Sequence, residues 1–585
     1  MTLQTDVRVK IGGLDITTFV DFELSQGIDR HHELTIECRE EEVYLRNPGL
    51  KGNYHQLIGE TILVSMQSTG GMFSSDTGYF KGIVTRIKTR NINDSTGRLL
   101  QFRAYSPTIL MDNGPESMSF LQKSLSDVVH ESTREYDTQL LKIRTQPLKD
   151  TPYPYVVQYN ESDFHFLKRL CSRQGEWFYY NGTEVIIGQE NIGEEIALHY
   201  GFNLSRFDFE MSLRPTRFKY NGNDLSEGER LKSTTRDYES TANGIAAELV
   251  KSSGRVFSKE TTVQHNQLVN EGTGKADMDA FAEMSFKRHV ANMVFLNASS
   301  ENPALRPGVT VRILDEDGSS QGLYKVIDVV HRCMDTGDYN NTFRAVPASV
   351  QVSPYSIPGE YPRCESQAAI VKENNDPKGL GRVKVQMAWQ QENALTTDWI
   401  PLSTPNGGSG KGFHFIPEIG ESVMVDFQSG NAEMPYVTGS VQHNQAKSGY
   451  ADSDNNLKAI QSKSGNKIIM NDKDGSITIT DKGAALLVMD GAGNININGS
   501  TSKNINIGEG ASTLNMDKNG VINFSGNEQF AITVGESSLI LKKDGVIEIN
   551  GKDIKVTGTA NTLITAKNNH IAGQTKMDGG EVFIN

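Results

Sequence analysis

Asn494-Ile495-Asn496-Ile497-Asn498 and Asn504-Ile505-Asn506-Ile507-Gly508 are two of six short runs near the C-terminus in which apolar and polar residues alternate. The other four are Gly475-Ser476-Ile477-Thr478-Ile479-Thr480, Val521-Ile522-Asn523-Phe524-Ser525, Val546-Ile547-Glu548-Ile549-Asn550 and Asp553-Ile554-Lys555-Val556-Thr557. Side chains of a strand point alternately to its two faces, so each run predicts a short strand with one aliphatic face. Glycines between the runs indicate frequent turns.

A short strand cannot bury its apolar face alone and needs stacked neighbours or sister chains. Two architectures meet this need: a single-chain β-solenoid, or an intertwined β-prism in which three copies each supply one wall. The irregular spacing of the runs favours the prism. An antiparallel sandwich is disfavoured, because residues 455–585 contain no proline, tryptophan or tyrosine.

The alternating apolar side chains are predicted to point inward and to form the core of the trimer, while their polar neighbours face outward. The predicted core residues are Ile477, Ile479, Ile495, Ile497, Ile505, Ile507, Ile522, Phe524, Ile547, Ile549, Ile554 and Val556.

The whole chain is long and acidic. Its 585 residues exceed the size of one hydrophobic core, so several domains are expected. A net charge of -14 argues against a nucleic-acid partner, which would require a basic surface. Cys38, Cys171, Cys333 and Cys364 show no CxxC spacing, which predicts free thiols and neither a disulfide framework nor a zinc site. The first residues lack the apolar stretch of a signal peptide, and no run of 18 apolar residues occurs, so neither a signal peptide nor a membrane-spanning segment is expected.

Residues 1–362 alternate between strand-like and helix-like patterns. Six strands are predicted at 7–11, 19–22, 33–37, 61–64, 80–84 and 99–104. A helical spacing begins at Ser119 and continues to Val129, with Ser124 or Ser126 as the N-cap. A second helix is predicted after the capping signal Asn160-Glu161-Ser162-Asp163, and a third between residues 278 and 290.

A proline-spaced linker from Pro347 to Pro362 precedes a compact β unit. Five strand-like runs separated by glycine-containing turns lie at 367–371, 382–387, 399–402, 422–427 and 435–441. This pattern predicts a small barrel such as an OB-fold.

The barrel sequence resembles VgrG, the valine-glycine repeat spike protein family of the type VI secretion system, which is related to contractile phage tail hub and spike proteins. The segments that carry the resemblance are Gly381-Arg382-Val383-Lys384-Val385-Gln386, Asp398-Trp399-Ile400-Pro401 and residues 412–427 and 434–441. Tyr159-Asn160-Glu161-Ser162-Asp163-Phe164, Gly175-Glu176-Trp177 and residues 302–308 resemble the hub domain of the same family.

The resemblance implies a mainly β protein with three domains. A phage-hub-like β-barrel body with a few helices would occupy residues 1–362, an OB-fold barrel residues 363–450, and a triple-stranded β-helix needle residues 451–585. It also implies a structural homotrimer at the tip of a type VI secretion tail tube, which punctures the target envelope. Such a protein would be cytoplasmic in the producing cell and then be secreted or injected without a signal peptide.

The resemblance implies several partners besides the sister copies. A tail-tube protein of the Hcp type would contact the N-terminal body, a PAAR-type cap would bind the C-terminal tip, and effectors and baseplate proteins would also associate. The predicted cap-binding residues are Val582, Phe583, Ile584 and Asn585, which would form a small apolar platform repeated three times around an axis. His570 lacks a nearby His-x-His partner, so an unmetallated tip that requires a separate cap is expected.

The alternative function is a trimeric phage-type tailspike or a cell-wall hydrolase, because trimeric β-prisms also occur in such enzymes. Catalytic motifs do not support it. The glycine-rich loop 407–411 fails as a nucleophile elbow because Lys411 stands where glycine is needed. It fails as a P-loop because Pro405 and Gly412 stand where glycine and Ser or Thr are needed. Because the repeat runs almost to Asn585, no added catalytic domain is expected after it.

Metal sites are not predicted either. Asp315 and Asp317, like Asp472 and Asp474, carry only part of a calcium-loop pattern and indicate hairpin turns. The adjacent residues 31 and 32 are both histidines, which on a strand point to opposite faces, so a surface role is expected. We therefore predict a protein that is not an enzyme and that uses no catalytic residue, metal or cofactor.

Overall fold

The computed structural model describes residues 4–69, 76–91, 97–190, 195–334, 337–507, 511–579, 581 and 583. They form two compact units, Met1–Val441 and Gln442–Asn585. The described residues are mainly strands, as predicted, with five α-helices: α1 Glu40–Tyr44, α2 Leu125–Thr133, α3 Asp163–Gln174, α4 Gly244–Val256 and α5 Gly274–Ala291. None of these helices is long and apolar enough to cross a bilayer.

A 13-stranded sheet forms the centre of the first unit. Eleven strands follow one path across it, in the order Leu204–Met211, Val294–Ser300, Tyr339–Pro347, Ser320–Met334, Asp21–Gly27, Glu33–Arg39, Arg98–Tyr105, Thr77–Asn91, Thr61–Thr69, Gln4–Ile11 and Leu14–Ile16. Thr310–Leu314 pairs with Ser320–Met334 and with Ile196–His199. The antiparallel pairing of Asp21–Gly27 with Ser320–Met334 joins the N-terminal strands to those after residue 294.

The sheet strands form where apolar residues alternate with polar ones. In Thr61–Thr69, for example, Ile62, Val64 and Met66 are buried on one face. Helix α3 packs Phe166 against this core. The six strands predicted before residue 110 are all present, with the second beginning at Asp21 rather than residue 19. All four cysteines are free and buried.

A buried polar network crosses the pairing of Asp21–Gly27 with Ser320–Met334. The Gln26 amide nitrogen lies 3.2 Å from Nδ1 of His32, and Gln26 Oε1 lies 3.0 Å from Nε2 of His331. The Tyr339 hydroxyl lies 2.6 Å from the other ring nitrogen of His331. Burial lowers the pKa of His32 to about 3 and that of His331 to about 3. The sequence predicted a surface role for the adjacent His31 and His32. This prediction is wrong for His32, which is fully buried.

Three smaller sheets also belong to the part of the first unit before the barrel. Their strands are Glu116–Lys123 with Tyr153–Glu161; Ile143–Gln146, Val185–Gly188 and Phe178–Tyr180; and Glu229–Thr234, Phe218–Asp224 and Thr261–Gln264. Gly175, which ends α3, has a φ of 73°, and a Cβ there would come within 2.2 Å of the Met284 sulfur. Glycine is therefore required at this turn.

The helix predictions are confirmed in part. Ser124 caps α2 in a capping box with Asp127, and Ser162 caps α3. The helical spacing predicted from residue 119 is wrong before Ser124, because Glu116–Lys123 is a strand that pairs with Tyr153–Glu161. The expected third helix is α5, whereas α4 was not predicted, although its alanine-rich start is a helix-forming signal.

The barrel residues form a four-stranded sheet that a fifth segment closes. The sheet order is Lys384–Met387, Gln367–Glu373, Ser422–Phe427 and Pro435–Ser440. Ile400 pairs with Val383 at one edge, and Leu402 pairs with Val437 at the other. The predicted strand at 399–402 is thus reduced to two bridges, but it closes the barrel as an OB-fold requires.

The second unit contains three antiparallel sheets in which consecutive strands pair. Their strands are Leu457–Gln461, Lys467–Asn471, Ser476–Thr480, Leu486–Met489 and Ile495–Asn498; Ser502–Ile507, Ser512–Asp517 and Ile522–Gly526; and Gln529–Val534, Ser537–Lys542 and Ile547–Asn550. The strand predicted at 553–557 is wrong, since the described chain after Asn550 contains no strand. Alternation alone does not make a strand, because a strand also needs a neighbouring segment that supplies hydrogen bonds.

Candidate functional site

The candidate site is the junction between two parts of the first unit. We call residues 4–347 the body and Gln367–Ser440 the barrel. The junction shares one apolar cluster, in which the body residues Tyr155 and Val157 pack with the barrel residues Val385, Val425 and Val437. The body and the barrel therefore bury part of their cores against each other.

A buried ion cluster lies at this junction. The side chain of Glu433, from the barrel, is fully buried, and its Oε2 accepts a 2.6 Å hydrogen bond from Nη2 of Arg173. Its Oε1 lies 3.4 Å from Nη1 of Arg169, whose side chain is 3% exposed. Both arginines belong to α3 and are four residues apart, which places them on the same face of the helix.

The capping motif before α3 completes the cluster. Glu161 accepts two hydrogen bonds from Arg169, at 2.5 Å from Nη2 and 3.2 Å from Nε. Although burial by itself lowers the pKa of the Arg169 guanidinium, Glu433 and Glu161 outweigh it and raise that pKa. The paired carboxylates thus keep a charged guanidinium stable inside the protein.

Two hydrogen bonds and an aromatic contact also join the barrel to the body. Gln390 of the barrel donates a 2.8 Å hydrogen bond to the buried Ser119 hydroxyl of the body. The Asn431 amide donates at 2.8 Å to the backbone carbonyl of Asn266. Trp389 packs edge-on against Tyr159 with the ring centroids 6.1 Å apart.

Arg382, in the segment that carries the barrel resemblance, also reaches the body. It donates two 2.9 Å hydrogen bonds to Asp376, which lower the pKa of that carboxyl well below its usual range. Its Nη1 lies 3.3 Å from a carboxylate oxygen of Glu271 in the body. The arginine therefore orders a barrel loop and contacts the body at the same time.

Sequence reasoning identified the capping motif and the barrel segments but missed the residues that join them. Arg169, Arg173 and Glu433 were not predicted as functional. A usable signal was present, because two arginines four residues apart follow the motif on a helix that is otherwise apolar on one face. Nothing in the local sequence identifies Glu433 as their partner.

The C-terminal strands bring nine of the twelve predicted core residues into rows. In the first sheet, Ile460, Ile468, Ile479, Leu487 and Ile497 lie opposite one another in consecutive strands and so share one face.

The same register continues in the other rows. Met470, Ile477, Met489 and Ile495 form a second row on that face. In the other two sheets the rows are Ile505, Leu514 and Phe524; Met516 and Ile522; Ile532, Leu539 and Ile549; and Phe530, Leu541 and Ile547.

These rows are uncovered within a single chain. No described residue of the second unit is buried, and the exposed fractions reach 65% for Ile495 and 64% for Ile547. Ile477 is half-buried, while Ile554 and Val556 lie beyond the last strand and are exposed. The side chain of Ile507 lies outside the described residues.

Of the predicted cap-binding residues, only Phe583 belongs to the described part of the chain, and it is 84% exposed. Val582, Ile584 and Asn585 lie outside the described residues.

The glycine-rich loop forms a small exposed hairpin, in which Gly407–Gly408 pairs with Lys411–Gly412. Among the described residues, no group of three or more His, Cys, Asp or Glu side chains is arranged to hold a metal ion. Asp315 and Asp317 accept hydrogen bonds from neighbouring backbone amides, as expected in a turn.

These features define a baseplate hub with an attached injector barrel. Residues 26–337, more than half of the chain, match the phage tail baseplate hub (GPD) family, and residues 367–441 match the type VI secretion system/phage-baseplate injector OB domain. The chain belongs to the phage baseplate hub family that includes the VgrG spike proteins of type VI secretion.

Curated relatives agree with this assignment. The chain is 25% identical over 345 residues to the type VI secretion system spike protein VgrG4b of Pseudomonas aeruginosa, a match that covers 50% of this chain and 40% of that relative. It is 23% identical over 531 residues to VgrG1a of the same organism, which covers 79% of this chain and 77% of the relative. The chain therefore spans less than half the length of the first of these relatives.

Solved structures show the same fold. A chain of the Francisella PdpA-VgrG complex in its half-lidded form aligns with a TM-score of 0.52 at 11% identity. The alignment covers 90% of this chain and 88% of that chain.

Proposed function

We propose that the chain forms a homotrimeric spike at the tip of a type VI secretion tail tube, where it punctures the target envelope and carries a cap and effectors. The single observation that carries this proposal is the set of uncovered aliphatic rows on the C-terminal sheets. Two sister chains placed against these rows would remove them from water, which stabilises an assembly by about 25 cal/mol per Å² of apolar surface.

In this proposal the second unit is one wall of a triple-stranded β-helix. The predicted core residues from Ile477 to Val556 would face the common axis, and the needle would occupy residues 451–585. Such a prism leaves few free strand edges, because sheets of different copies close on one another. A closed, stiff rod suits the transmission of an axial thrust.

The junction in the first unit supports the same mechanical role. A force that acts along the tail would pass from the body to the barrel through the junction. The buried cluster of Arg169, Arg173, Glu161 and Glu433 resists separation there, because pulling its members apart would leave charges unpaired in a dry environment.

The partners follow from the family and are also proposed. A tail-tube protein of the Hcp type would contact the body, and a PAAR-type cap would contact residues 582–585. The Francisella structure is of a VgrG in complex with PdpA. This supports the proposal that a hub of this fold carries another protein.

Mass in solution tests the proposal. Light scattering after size-exclusion chromatography should give three times 64.6 kDa for the full chain. A truncated protein that stops before Leu457 should lose the trimer or weaken it strongly, because it lacks all three C-terminal sheets. A monomeric full chain would contradict the proposal, and a fully trimeric truncated protein of unchanged thermal stability would show that the needle does not join the copies.

A further inference from the structure

A pocket of about 250 Å³ in the first unit has a positively charged lining. It is lined by residues of α5, of strands Phe218–Asp224 and Thr261–Gln264 and of the segment 265–267 that follows, and by residues 357–359 and 361. Arg288, His265 and His289 contribute to its wall, and none of the described residues that line it is an aspartate or a glutamate. The chain as a whole has 72 acidic residues against 58 lysines and arginines. A carboxylate-free, positive pocket therefore runs against the average charge of the protein.

Two polar groups of this pocket are buried without a partner. His265 is 8% exposed, and its Nδ1 is buried with no hydrogen bond. The Nε of Arg288 is likewise buried with no hydrogen bond, and Arg288 makes no ion pair with any residue that the structure describes. Leaving a buried polar group unsatisfied costs about 1–3 kcal/mol, so a ligand that accepts hydrogen bonds would stabilise the Arg288 N–H and, in the tautomer protonated at Nδ1, the His265 ring.

Aromatic contacts hold the two imidazoles in place. The His265 ring lies edge-on to Phe281 with centroids 4.6 Å apart, and His289 stacks on Phe218 at 4.7 Å. Rings packed in this way lose their freedom to turn, so a ligand finds its partners already positioned.

The electrostatic environment of the pocket is positive. Burial lowers the pKa of His265 to about 4, and the Arg173 guanidinium acts in the same direction. Burial also lowers the pKa of His289 to about 4, with Arg288 and Arg214 adding to the effect. Both imidazoles are thus neutral at pH 7, where a ring N–H can donate a hydrogen bond and the arginine supplies the charge.

We propose that this pocket binds a small oxyanion, a phosphate or a carboxylate, with the Arg288 guanidinium as its counter-charge and Nδ1 of His265 as a second donor. A guanidinium repels cations, and its N–H groups can donate to the oxygens of a planar carboxylate or a tetrahedral phosphate. The volume admits a single small anion and not a long polymer. The site goes beyond the spike function, and all the residues that line it belong to one chain.

Calorimetric titration of the purified full chain tests the site. Sodium phosphate and sodium succinate are titrated separately, each at constant ionic strength maintained with sodium chloride, so that the two arms distinguish a phosphate from a carboxylate ligand. We expect saturable binding of at least one anion. Arg288→Gln should weaken it about tenfold or more, because a charge-assisted hydrogen bond is lost. Arg86→Gln, an exposed control with the same change of charge, should leave it unchanged.

A second variant covers the case in which Arg288→Gln does not fold, which circular dichroism would reveal. His265→Phe keeps an aromatic ring beside Phe281 but removes the donor, and it should weaken binding about threefold to tenfold. The proposal is overturned if neither anion binds the unmodified chain at about 10 mM. It is also overturned if Arg86→Gln weakens binding as much as Arg288→Gln does, since the attraction would then come from net charge alone.

Discussion

Arg173 donates a 2.6 Å hydrogen bond to the Glu433 carboxylate, although 260 residues separate the two in the chain. The arginine lies on α3 of the body, and the glutamate lies in the barrel beside the strand that begins at Pro435. Arg169 approaches the second oxygen of the same carboxylate. Two arginines on consecutive turns of one helix therefore pair with a single buried carboxylate, and this pairing joins the body to the barrel.

Removing this carboxylate should loosen the junction. We expect Glu433→Gln to lower the free energy of unfolding by about 3–5 kcal/mol, because it leaves Arg173 without its partner and Arg169 with only Glu161. Urea unfolding followed by tryptophan fluorescence measures the change, since Trp389 lies at the junction.

Glu392→Gln provides the matched control for this substitution. Glu392 is an exposed glutamate of the same barrel, so its loss should change the free energy of unfolding by less than about 0.5 kcal/mol. Equal midpoints for the two variants would show that the cluster does not stabilise the junction.

The stability of the body should fall with acid. His32 and His331 have pKa values lowered from 6.5 to about 3 by burial, so the unfolded chain takes up protons below pH 6.5 and the folded chain does not. Their contribution is complete above pH 6.5 and is lost as the pH falls toward 3, at up to about 1.4 kcal/mol per pH unit for each histidine.

Unfolding measured from pH 7 to pH 4 tests this effect. His331→Gln, which keeps a polar side chain beside Gln26, should reduce the steepness of the decline, even if it lowers stability at pH 7. An unchanged steepness would mean that carboxylates elsewhere, and not the histidine network, cause the acid sensitivity.

The C-terminal rows allow a sharp test of the trimer. Ile497 and Asn496 are neighbours in one strand, both are exposed in a single chain, and they point to opposite faces. Ile497→Asp should abolish assembly, because it would bury three charges around one axis, whereas Asn496→Asp should be tolerated. Native mass spectrometry distinguishes the results. If both variants form normal trimers, the row that contains Ile497 does not face the other copies.

The tip can be examined separately from the needle. Deletion of residues 582–585 should leave the trimer intact but abolish binding of a PAAR-type cap in a pull-down, because the proposed apolar platform is removed. Replacement of Phe583 alone by Ser should weaken binding, since this exposed ring would supply much of the platform. Cap binding of unchanged affinity to the deletion variant would place the docking site elsewhere.

Most of the strands could be predicted from the sequence, because alternation of buried and exposed residues is a local property. The capping motifs around Ser124 and Ser162 were likewise readable, since a cap is made with residues three positions away. Residues 119–123 show the limit of this reasoning. Their spacing favours a helix, but pairing with Tyr153–Glu161 makes them a strand.

The sequence by itself determined the short strands with one aliphatic face, the barrel segments and the resemblance to a spike family, because each depends on the order of neighbouring residues. Only the tertiary structure decided which distant groups meet. Glu433 with Arg169, Gln26 with His331, and the alignment of Ile479 with Leu487 and Ile497 all depend on how strands and helices pack. A side chain's partner across the fold is set by packing and register, which no local pattern encodes.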